Sequence, residues 1–74
     1  MGVRVVMVII VMIEKAGSTY WAYALNFHGL TTCADTLYEL KENFEEILEY
    51  YIEYQNESGM NYTRDDFRID YINK

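Results

Sequence analysis

Four glutamates, Glu42, Glu46, Glu49 and Glu53, follow one another at steps of four, three and four residues. Carboxylates in such a pattern can do one of two things. They can attract a cationic macromolecule, or, gathered around a point, they can hold a divalent metal for hydrolysis. On a helix turning ~100° per residue the four fall within a stripe roughly 60° wide, which is a line and not a cluster. A line of charge suits an extended basic surface better than one ion. Like charges four residues apart destabilise a helix by a few tenths of a kcal/mol per pair. Only Lys41, four before Glu45, offers nearby relief, so further positive charge is expected from outside the helix. Taken alone, a charge run more often marks a solvated face than a docking surface.

Other residue types that could carry chemistry are sparse. Glu14 and Asp35 stand near the ends of expected elements, but no spacing places them with a third acid, so a catalytic metal cluster is not expected. The single His28, beside Gly29, reads as a polar turn residue. Cys33 is alone and has no neighbouring base, which makes it a small core or strand residue and excludes an intramolecular disulfide. A lone cysteine also points to a reducing, cytoplasmic setting. No cofactor is implied. The eight tyrosines could stack on bases, yet six basic residues against twelve acidic ones form no phosphate-binding stripe, so direct nucleic-acid binding is not expected.

The element that positions the glutamates is the most plainly written part of the chain. Between Asp35 and Glu57, eight of 23 residues are acidic, while Leu37, Leu40, Phe44, Ile47, Leu48 and Tyr51 recur at steps of three and four. This predicts an amphipathic helix whose carboxylates face outward. Thr36 and Glu39 stand at capping-box spacing at its start.

Before it, Val5 to Ile13 are nine consecutive apolar residues, too short to span a bilayer, which takes roughly 20. Arg4 ahead of the run and the small residues after it faintly imitate a signal peptide. The richness in Val and Ile favours a buried strand. Ala16, Gly17 and Ser18 predict a hairpin turn into a second strand, Thr19 to Leu25, and Leu30 to Ala34 a short third one. After the helix, Asn61 to Asp66 reads as a polar connection. Phe67, Ile69 and Tyr71 then alternate with Arg68 and Asp70, the period of a half-exposed strand.

The expected order is therefore β-β-β-α-β, an α+β class with a small antiparallel-type sheet and one helix packed on one face. With 74 residues the chain makes a single domain, 1–74, and 51% apolar content sets it apart from disordered chains despite a net charge of −6. A core this small gains from self-association. One helix cannot cover both sides of the sheet, and the first strand is apolar on both. A homodimer or higher homo-oligomer is expected, with sheet or strand surfaces meeting.

Ile13-Glu14-Lys15-Ala16-Gly17, then Tyr20 to Tyr23, Gly29, Asp35-Thr36-Leu37 with Glu39, and the acidic helix together resemble the HicB family of antitoxins. The family's pattern has a proline-bearing turn where this chain has Leu25 to Gly29, and a glycine where it has Ala34. The resemblance implies a partial ribonuclease H fold and a bacterial protein that binds a small basic HicA-type toxin, blocking its access to messenger RNA. Many members add a C-terminal DNA-binding domain, which is not expected here. Two alternatives stand beside this reading: a stand-alone homo-oligomer with a structural or regulatory role, and a nuclease built on Glu14 and Asp35, for which the residues offer little.

Overall fold

The computed structural model describes residues 6–73. Its elements are β1 (Met7–Ala16), β2 (Thr19–Ala24), β3 (Thr31–Ala34), the helix α1 (Leu37–Glu57), a short 3₁₀ turn over Arg64–Asp66, and β4 (Phe67–Asn73). Arg4 and Val5, at the head of the expected first strand, lie outside the described residues.

The strands form one sheet in the order β3-β2-β1-β4. β1 and β2 are antiparallel, with Ala16 opposite Thr19, so the hairpin loop is only Gly17 and Ser18. Gly17 at φ 65 supplies the left-handed backbone that a two-residue loop requires. β2 and β3 are also antiparallel, but β4 lies parallel to β1, with Met7 opposite Phe67 and Ile13 opposite Asn73. The sheet is thus mixed, which corrects the expectation of an antiparallel one. A helix of 21 residues is ~32 Å long and returns the chain to the end from which β3 started, so the next strand runs in the same direction.

Asn26 continues the pairing of β1 beyond the end of β2. Its side-chain oxygen accepts the Ile10 N–H at 3.0 Å, and its amide donates to the Val8 carbonyl at 2.7 Å. One side chain therefore does the work of a missing strand residue.

The core lies between the helix and one face of the sheet. Ile9, Val11 and Ile13 from β1, Ala22 from β2 and Phe67 from β4 are buried against Leu40, Phe44, Leu48 and Ile52. The helix runs nearest to β3 and β2, where the facing residues include Ala22, Ala24 and Ala34 and the backbones can approach closely. Over β1 and β4 the facing side chains are large, and they fill the space that the helix leaves. Phe67 is the hub of this filling: the rings of Phe27, Tyr51 and Tyr62 meet it edge-on with centroids at 6.3, 6.2 and 5.5 Å. The connection read as merely polar thus contributes Tyr62 to the core edge. Its Asp66, buried at 9% exposure, accepts the Thr63 N–H at 2.7 Å.

Two helical positions differ from the spacing argument. Leu37, expected in the buried stripe, is 43% exposed, because the first turn sits at β3, the edge strand of the described sheet. Ile52, one residue past Tyr51, is buried and extends the stripe by a turn.

Candidate partner-binding surface

The helix begins where its capping residue allows. Thr36 is extended, and its hydroxyl accepts the Glu39 N–H at 3.1 Å. The reciprocal bond from the Glu39 carboxylate, which a full capping box would add, is not formed; the complete box occurs instead at Thr63 and Asp66. Ser58 and Gly59 end the helix, with the Ser58 and Gly59 amides donating to the carbonyls of Gln55 and Asn56, and Gly59 at φ 104 turning the chain away.

Because Leu40, Phe44, Leu48 and Ile52 fix the rotation of the helix, the opposite side must face outward. Glu42, Glu46, Glu49 and Glu53 are all exposed there, in the line that their spacing requires. Among the described residues none of the four meets a cation. Tyr38, Tyr50 and Tyr54 flank the line, at 74%, 65% and 67% exposure. Sequence reasoning did not single out these rings, although their position on the outward side follows from the same helical count.

Glu45 is held apart from that line, and not by Lys41. Arg64, 19 residues on, grips it with two bonds of 2.7 Å, from Nε to Oε2 and from Nη2 to Oε1. A third bond of 2.6 Å from Nη1 to the Phe67 carbonyl ties the start of β4 to the helix through the same guanidinium. The hydrogen bond to Glu45 raises the Arg64 pKa further above its ordinary value. Lys41 turns the other way, with Nζ 5.0 Å from the centroid of the Tyr71 ring. Burial, helped by the Glu45 charge, raises the pKa of Tyr71 above its ordinary value of 10.0, while Arg64 opposes the shift.

The residues weighed for metal chemistry are not brought together. Glu14 lies on the sheet face opposite the helix, its carboxylate accepting the Tyr23 hydroxyl at 2.6 Å. Asp35 is exposed in the turn before α1. Among the described residues, no three of His, Cys, Asp and Glu gather where they could hold a metal ion. The described residues enclose no pocket, His28 is exposed in its turn, and Cys33 is exposed on β3. Among the described residues no helix is long and apolar enough to cross a membrane.

Fold and surface together define a class: a small α+β domain with one charged helical side and, among the described residues, one bare sheet side. No family model matches the chain, and no curated protein or solved structure matches it either.

Proposed function

We propose that this chain is an antitoxin-like binding module that neutralises a small basic mRNA-cleaving toxin of the HicA type, acting as a homodimer or higher homo-oligomer in the bacterial cytoplasm. The observation that carries this reading is the exposed line of Glu42, Glu46, Glu49 and Glu53, unpaired among the described residues on a rigid, capped helix. Fixed like charges repel one another, so a cationic partner relieves that repulsion while it is steered in from a distance. The motif residues shared with HicB antitoxins give that partner its proposed identity.

On this reading the chain binds and does not catalyse. Nuclease activity that survives purification and disappears in Glu14→Ala or Asp35→Ala would reverse the assignment. The direct test is co-expression with the product of the adjacent gene, followed by purification through a tag on one chain. A stable complex is expected. Glu46→Lys with Glu49→Lys should weaken it on the order of ten- to a hundredfold and flatten its salt dependence; unchanged affinity would remove this face from the interface.

A second reading is favoured by the bare side of the sheet: a stand-alone homo-oligomer with a structural or regulatory role and no toxin. A neighbouring gene for a small basic protein with one essential histidine separates the two.

A further inference from the structure

The sheet has a second apolar surface, on the side away from the helix. Val8, Ile10 and Met12 of β1, Trp21 and Tyr23 of β2 and Ile72 of β4 share it, as their register requires: Met12 lies opposite Tyr23 on one side and Ile72 on the other. Ile10 is 36%, Trp21 44% and Ile72 40% exposed. An antiparallel or mixed sheet with one solvated face normally alternates apolar and polar residues, and β1 does not. A contiguous patch of this kind marks a contact surface.

Its charge content identifies the occupant. Of the twelve acidic residues, eight lie between Asp35 and Glu57 and two, Asp65 and Asp66, in the 3₁₀ turn, leaving Glu14 and Asp70 for the open face. Glu14 is bonded to Tyr23, and Asp70 is paired with Arg68, Nε to Oδ1 at 3.2 Å. A cationic partner finds little to bind here. An anionic membrane surface would repel a chain of net charge −6 whose open face offers, among the described residues, Arg68 as its cation. For a second copy, by contrast, this is the side on which two such chains approach with least repulsion. The size also fits. Four strands ~4.8 Å apart, of 10, 6, 4 and 7 residues and so roughly 13–33 Å long, present on the order of 430 Å² per copy, so pairing two of them falls at the small, weakly associating end of specific interfaces, under about 1,000 Å² in total.

We infer that two copies pack open face to open face about a two-fold axis, as aligned sheets ~10 Å apart, with Ile10, Met12 and Trp21 at the centre. The two acidic helices then point outward on opposite sides. The self-association rests on the function proposed above; the face that pairs, and the bivalence that follows for a cationic partner, are the further step.

Trp21 is the only tryptophan in the chain, so its fluorescence reads this face alone. Sedimentation from about 1 to 500 µM, a range that brackets dissociation of an interface this small, should pass from monomer to dimer mass. Trp21 emission should shift to the blue, and its quenching by acrylamide should fall several-fold over the same range. Ile10→Lys should leave a monomer with exposed Trp21 throughout and an unchanged helical circular dichroism spectrum. Since a charge at Ile10 could also disturb β1, Ile72→Lys, near the end of an edge strand, serves as the second variant and should weaken dimerisation at least tenfold. Glu46→Lys with Glu49→Lys should leave the dimer intact. A wild-type monomer at the highest concentration would overturn both the face and the self-association. A dimer that survives both lysine variants with Trp21 exposed, or that is lost in the glutamate variant, would overturn the face alone. Failure to capture a cationic partner while the dimer persists would count against the toxin reading and leave this inference standing.

Discussion

The two sides of this sheet are covered in opposite ways. On one, the helix closes over Ile9, Val11 and Ile13 and turns the seven carboxylates it carries away from them. On the other, Ile10, Met12 and Trp21 stand on the same strands with no described element above them. Adjacent residues of one strand, separated only by the pleat, thus belong to surfaces governed by forces of different range. Charge on the helix acts over a Debye length, about 8 Å at physiological ionic strength, and sets encounter rates. Apolar area on the open face acts only at contact and sets how long a partner stays. On the function and pairing proposed above, the chain engages a cationic partner and a second copy at once without the two surfaces competing.

The largest effect is expected on the closed side. Phe44 is fully buried between the sheet and the helix, with Tyr71 edge-on at a centroid distance of 6.3 Å. Phe44→Ala should cost about 3–5 kcal/mol, a large share of the roughly 4–11 kcal/mol that a domain of this length possesses. Chemical denaturation followed by circular dichroism should show the midpoint falling by about a third or more of its wild-type value. A loss under about 1 kcal/mol would mean that the helix is held by something other than this layer.

A smaller effect tests how the charged side is fastened to the core. Arg64 joins Glu45 to the Phe67 carbonyl, but the ion pair is partly solvated, with side chains 41% and 44% exposed. Exposed pairs contribute roughly 0.2–1 kcal/mol. Arg64→Ala should therefore lower stability by about 1 kcal/mol once the bond to the Phe67 carbonyl is included. Arg64→Lys should recover only part of it, since an ammonium cannot span both carboxylate oxygens and the carbonyl in one plane. Urea midpoints for the two variants measure the difference; equal midpoints would show that charge alone matters there.

Much of this was readable from residue order, and the limits have physical reasons. Leu40, Phe44 and Leu48 at helical spacing placed the acidic line outward without coordinates, and Gly17 and the alternation of Phe67, Ile69 and Tyr71 placed the hairpin and the last strand. The direction of β4 was not readable, because alternation states which faces a strand has but not which neighbour it joins. The partner of Glu45 was not readable either. Spacing along a helix nominates Lys41, whereas the Tyr71 ring and Arg64, which decide the matter, come from β4 and the turn before it, brought close only by the fold. The unbroken apolar run of β1 announced that both its faces want covering, and it could not say by what.

The finest probe of the closed side is Tyr71, where that side meets β4. Burial first, and then the Glu45 charge, hold its hydroxyl pKa above 10.0, against an opposing influence from Arg64. Between 10 and that raised value the folded chain keeps a proton that the unfolded chain has released. The folded state then binds more protons, so stability falls as pH rises past about 10 and is unaffected by this group below it. The size of the fall is small because the ring is only partly buried. Denaturation midpoints at pH of about 8 and about 10.5 should therefore drop further for the wild type than for Tyr71→Phe, the common loss from other groups cancelling in the difference. Glu45→Gln should reduce the same drop by removing the second cause. If Tyr71→Phe kept the full alkaline loss, the ring would be no less hydrated when folded than when unfolded, and the boundary between the closed side and solvent would have to be drawn on the inner side of β4.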